Sequence, residues 1–107
     1  MICAKCGKDF PEHEIELSHD IPKYLGGTDK DGRHYLCIAC HDEYERKILS
    51  VCCEKFLNFS IPSLKNRKYL LKFMIMLKNS PLDIKAKCLL KAEDIKKEVF
   101  ENERRIS

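Results

Sequence analysis

The stretches Cys3-Ala4-Lys5-Cys6 and Leu36-Cys37-Ile38-Ala39-Cys40-His41 decide how this chain is read. In each, two cysteines spaced as Cys-x-x-Cys put a pair of sulfurs on one tight turn. Two such knuckles supply four thiolates, the donor set of a closed tetrahedral zinc site. One zinc per chain would tie the turns together and enclose Ser18-His19-Asp20-Ile21-Pro22 and the turn at Gly26-Gly27. An ion surrounded by four thiolates has no open position for substrate, so Cys3, Cys6, Cys37 and Cys40 read as structural ligands.

Outside the knuckles, composition divides the chain. Up to Ser50 there are seven Lys/Arg against ten Asp/Glu, and beyond it 13 against seven, so the overall charge of +3 combines −3 with +6. Acidic clusters suit cations and basic helices suit phosphate backbones. At 107 residues the chain is one compact unit or a small zinc module with a helical extension, divided here at 1–58 and 59–107. No basic segment followed by an apolar run opens it, and no apolar run is long enough for a membrane span. A soluble, intracellular, cytoplasmic protein is expected, a setting in which paired cysteines favour metal over disulfides. Cys52, Cys53 and Cys88 lack ligand spacing and sit within helical periodicity, so they read as small buried hydrophobes.

Glu12 to Ser18 alternates, with Ile15 and Leu17 apolar, and predicts a half-buried strand with those two residues inward. Pro22 and Gly26-Gly27-Thr28-Asp29 begin a long polar loop, and Arg33 to Cys37 reads as a second strand. From His41 the period becomes helical, with Tyr44, Ile48, Val51 and Cys52 on one stripe and an end near Asn58. A second helix is expected after Ser63, carrying Leu70, Phe73, Met74 and Leu77 on one face. A third starts with Ser80 as cap, Pro81 in the first turn and Asp83 behind it, and buries Ile84, Cys88, Ile95 and Val99. The end from Glu101 to Ser107 is expected to fray. The fold class is therefore α+β.

Strand, loop, strand and helix bring His19, at the end of the first strand, close to His41, at the start of the helix. A neutral imidazole is a general base near pH 7, and a second can hold a divalent cation. At Ser18-His19-Asp20-Ile21-Pro22, Gly26-Gly27 and Leu36-Cys37-Ile38-Ala39-Cys40-His41 the chain resembles the HNH nuclease family, in its subgroup with two Cys-x-x-Cys knuckles. The resemblance covers residues 3 to about 46 and implies a zinc-stapled ββα-metal module. It also implies divalent-metal-dependent hydrolysis of nucleic-acid phosphodiesters, DNA first, with His19 as general base and His41 as ligand of magnesium, manganese or another divalent cation.

The chain departs from the family's pattern at three places. Ser18 stands where a His or Asp ligand is usual, leaving the cation site poorer or completed by Glu16 or Asp20. The asparagine that orients the base is absent near residue 32, with Asp31 or His34 as substitutes. Glu45 stands where a later His is frequent, one helical turn past His41, and a carboxylate there suits magnesium or manganese. Arg33 reads either as a phosphate clamp or as the partner of Asp29 or Asp31. Lys65, Arg67, Lys68 and Lys72 are either a solvated face or contacts to nucleic acid, with Lys65, Arg67 and Lys68 the chosen set. Two other functions fit the same residues. One is a DNA-binding module that keeps its zinc and has lost chemistry. The other is a protein-interaction zinc ribbon whose helical extension carries self-association or a larger assembly.

Overall fold

The computed structural model of the chain describes residues 1–58 and 67–101, and of residues 67–70 the backbone alone. Ser63 and Lys65 lie outside the described residues, as do the side chains of Arg67, Lys68 and Leu70 and the end beyond Glu101. Two strands, β1 (Ile15–His19) and β2 (Arg33–Cys37), are followed by helices α1 (Ile38–Phe56), α2 (Arg67–Lys78) and α3 (Leu82–Lys96). The described residues thus form an α+β fold with a two-stranded sheet and three helices.

β1 and β2 pair antiparallel, with Ile15 opposite Cys37, Leu17 opposite Tyr35 and His19 opposite Arg33. β1 is shorter than the alternation predicts, because Glu12–Glu14 forms a 3-10 turn behind Pro11, closed by the Glu14 N–H to the Pro11 carbonyl. Its inward face also differs. Leu17 and Tyr35 are 39% and 47% exposed, whereas Ser18 and Leu36 are buried. Opposed residues share a face of the sheet, so at Leu36 and Ser18 the core lies under the Glu16/Leu36 and Ser18/His34 face. Ile15, opposite buried Cys37, packs against the core as expected. Leu17 spends its apolar surface on the outer face opposite Tyr35, a tertiary choice that overrides the alternation.

α1 begins at Ile38, three residues earlier than the periodicity predicts, with Cys37 in the cap position and Cys40 in the first turn. Positions three apart on a helix lie on one side, so the helix start is itself the second knuckle. Tyr44, Ile48 and Cys52 are buried along α1 as expected, joined by Leu49 and Cys53, while Val51 is half-buried. They meet Leu77 from α2, Cys88, Ala92 and Ile95 from α3, and Ile21, Leu25 and Leu36 in one cluster. Cys52, Cys53 and Cys88 are fully buried in it, as small hydrophobes would be. α3 ends in a π turn over Lys97–Glu101.

Ser80 does not cap α3. Its hydroxyl donates to the Met76 carbonyl at 2.8 Å, and Pro81 holds the cap position. The last carbonyls of a helix lack partners of their own, and a hydroxyl two residues past α2 satisfies one of them. On α2, Phe73 and Met74 are half-buried and Leu77 fully buried, while Leu71 and Ile75 are 61% and 52% exposed. Among the described residues no helix is long and apolar enough to cross a membrane.

Candidate metal centre and histidine cleft

The N-terminal knuckle folds on backbone hydrogen bonds. Gly7 N–H reaches the Cys3 carbonyl at 2.9 Å, Cys3 N–H the Lys8 carbonyl at 2.9 Å, and Ala4 N–H the Tyr35 carbonyl at 2.9 Å. The last bond docks this knuckle on β2, two residues before Cys37. All four sulfurs of Cys3, Cys6, Cys37 and Cys40 then lie within 4.8 Å of one another. Zinc–thiolate bonds of about 2.3 Å on a tetrahedron require sulfurs about 3.8 Å apart, so the cluster has the size and chemistry to hold such an ion. Burial pushes the Cys3 thiol up, but the backbone N–H groups of Cys6, Cys37 and Lys5 and the Cys6 side chain outweigh it and bring it down to about 6. The Cys40 thiol is raised, first by burial and then by its three sulfur neighbours. Sulfurs this close can all be thiolates only with a cation between them.

His19 and His41 come together as expected. A cleft of about 330 Å³ is lined by Leu17, Ser18, His19, Pro22, Lys23, Tyr24, His41, Glu45 and Met74. His19 Nε2 is 2.8 Å from Asp29 Oδ1. An ionised carboxylate only accepts, so Nε2 carries the proton and the ring's lone pair lies on Nδ1. The Asp29 carboxyl is held below its ordinary value, first by this hydrogen bond and then by the Arg33 charge. Arg33 Nη1 stands 3.9 Å from Asp29, so of its two expected acidic partners it takes Asp29.

His41 is flanked by carboxylates on both ring edges. Nδ1 lies 3.4 Å from Glu16 and from Asp42, and Nε2 lies 3.6 Å from Glu45. A histidine that donates its Nδ1 proton to carboxylates presents the Nε2 lone pair, the usual state of a metal-ligating ring. Glu45 shares the Nε2 edge with that lone pair; on the other edge Asp42 is the hydrogen-bond partner of Nδ1, with Glu16 beside it. Ser18 lines the cleft but is only 3% exposed.

Neither expected substitute for the missing asparagine reaches His19. Asp31 closes a capping box, accepting from the Thr28 backbone and hydroxyl at 2.9 and 3.3 Å. His34 Nδ1 pairs with Asp20 at 2.5 Å and its ring stacks on Phe100 with centroids 3.9 Å apart. Asp20 is thereby turned inward, 1% exposed, and lies outside the cleft lining. The partner of His19 is Asp29, ten residues on, in a 3-10 turn that the loop's composition did not announce.

Two glycines make the loop possible. A Cβ on Gly27 would lie 1.9 Å from the Ile21 carbonyl oxygen, so only glycine allows the hairpin back to Ile21-Pro22. Gly32 has φ +107°, a region that side chains avoid, and its carbonyl accepts the Asp20 N–H at 3.0 Å. No protein-family model, curated protein or solved structure matches this chain.

Proposed function

We propose that this chain is a divalent-metal-dependent nuclease of the HNH type, with a structural zinc on Cys3, Cys6, Cys37 and Cys40. The observation that carries the reading is the meeting of His19 and His41, from the end of β1 and the first turns of α1, on one cleft. The two-strand-and-helix order and the four-cysteine cluster support the ββα-metal assignment.

In this reading His19 Nδ1 takes a proton from water as the water oxygen attacks phosphorus and the P–O bond to the leaving oxygen breaks. Asp29 keeps the ring in the tautomer that can accept there and stabilises the imidazolium that forms. His41 Nε2 and Glu45 would hold the divalent cation, with water and substrate phosphate as its remaining ligands. When bound, that ion stabilises charge on the phosphoryl group and on the leaving oxygen. Lys23 gives the rim a positive charge, and the exposed Lys72, Lys78 and Lys87 of α2 and α3 suit a nucleic-acid backbone.

A cation site with only two side-chain donors favours one second reading, a zinc-containing DNA-binding module without chemistry. Plasmid nicking with magnesium, manganese and EDTA separates the two. His19→Ala should lower cleavage by about 10²–10⁴-fold with DNA binding retained. His41→Ala should raise the metal concentration needed for residual activity. Ser18→Asp adds a ligand beside the cleft and should raise activity. A wild type and Ser18→Asp variant both inert with every divalent metal would leave the binding module as the function.

A further inference from the structure

The loop from Asp20 to Gly32 carries Asp29, the partner of His19, and is pinned at both of its ends. Tyr44 Oη from α1 donates to the Asp20 carbonyl at 2.7 Å. Asp20 Oδ1 receives His34 Nδ1 from β2 at 2.5 Å. From α3, Lys96 Nζ donates to the Asp31 carbonyl at 2.5 Å and stands 3.8 Å from Asp20 Oδ2. That second oxygen is buried and has no hydrogen bond, and the Lys96 ammonium 3.8 Å away offsets its charge. One turn later Phe100 lies flat on the His34 ring, with an interplanar angle of 1°, and tilts against Tyr44 at 5.1 Å. The helix changes from α to π winding over the residues that carry Phe100. Such widened turns are rare and concentrate at functional sites.

We infer that the C-terminal end of α3 is a positioning arm of the histidine cleft, with Lys96 and Phe100 holding the loop that presents Asp29 to His19. Lys96 is not among the residues that line the cleft. It acts through two residues of the loop, the one next to His19 and the one two positions past Asp29. An ammonium committed to a buried carboxylate and a backbone carbonyl is a structural cation. This separates Lys96 from the exposed lysines, whose proposed partner is phosphate. The helical extension then serves the chemistry as well as binding, because misplacing Asp29 lets His19 change tautomer and turn away.

The catalytic half of this inference rests on the nuclease reading, so its test needs a readout of its own. Imidazole nitrogen NMR of His19 in the zinc-loaded full chain supplies one. The wild type should show a proton held on Nε2. Lys96→Met should mix the two tautomers and broaden the His19 signals, with His41 signals and zinc content unchanged. Phe100→Ala should do the same, and Lys96→Arg should restore part of the wild-type spectrum. Lys97→Met, removing the exposed neighbouring charge, should change nothing. If Lys96→Met does not fold, Asp20→Asn/Lys96→Met removes both charges and is read instead. Cleavage by the Lys96 variant should fall about 10–100-fold in kcat with little change in KM, since a displacement of about 1 Å costs that much. His19 spectra unchanged in the folded Lys96 variant, or changed equally by Lys97→Met, overturn the inference. A wild type and Ser18→Asp variant both inert with every divalent metal, with the predicted NMR changes present, sink the nuclease reading and leave the positioning arm standing.

Discussion

The cysteine cluster and the histidine cleft share the first turns of α1, yet one is closed and the other open. Four sulfurs from two turns face one another within 4.8 Å, with three backbone N–H groups on Cys3. Nothing in that donor set is left for a substrate. In the cleft, two imidazoles sit in about 330 Å³ of open space, with carboxylates 3.4 to 3.6 Å from His41. Looser contacts around unsaturated donors are what a site needs if it is to exchange ligands. In the proposed reading, closure makes a staple and incompleteness makes a reaction centre.

The contrast is easiest to break where the effect is largest. Cys37→Ser should remove the metal and the fold together, since structural zinc contributes on the order of 10 kcal/mol. Elemental analysis and circular dichroism would decide it, and a zinc-free protein with a normal melting curve would leave the cluster without its role. Asp20→Ala comes next. It strips a fully buried carboxylate from His34 and Lys96. Breaking such a pair typically costs about 3–5 kcal/mol, and here the lower end is expected because both partners are partly exposed. Chemical denaturation measures it.

Tyr44→Phe removes one buried hydrogen bond to the Asp20 carbonyl, so about 1–2 kcal/mol should be lost in the same measurement. Asp29→Asn is the smallest change to the fold and the most telling for the cleft. The side chain is 68% exposed, so the melting temperature should not move, while cleavage should fall about 10–100-fold as His19 loses its orientation. Its pH dependence has a definite sign. A carboxyl lowered on folding supports the His19 contact fully above its ordinary value near 3.8, and loses it as pH falls through the lowered one. An NMR titration of Asp29 should therefore find its midpoint below that ordinary value. A melting temperature that drops in Asp29→Asn would mean the cleft is part of the staple after all.

Much of the site was legible because the chemistry depends on spacing along the chain. Two residues between cysteines place both sulfurs on one turn whatever surrounds them, and the four-position step from His41 to Glu45 places both on one helix face. The burial of Tyr44, Ile48 and Cys52 on α1 and of Cys88 on α3 followed from period, whereas Leu49, outside the expected stripe, is buried and Val51 only half-buried. Where the reading went astray, a partner distant in sequence had intervened. Leu17 faces outward because Tyr35 lies across the sheet from it. Ser80 turned back to α2 because the end of that helix has carbonyls to satisfy.

By itself, then, the sequence determined the two knuckles, the strand-loop-strand-helix order and the identity of the two histidines. These are local properties, set by covalent reach and by helical or extended period. Only the tertiary structure decided which acid serves His19. Asp29 and Asp31 are two residues apart and chemically identical, and the 3-10 turn sends one to the imidazole and the other to Thr28. The tertiary structure also decided that Asp20 turns inward to His34 and Lys96, across 14 residues and 76 residues of chain. Such pairings carry no signature in composition or period, because their energy comes from burying a charge beside its partner, and burial exists only once the chain has folded.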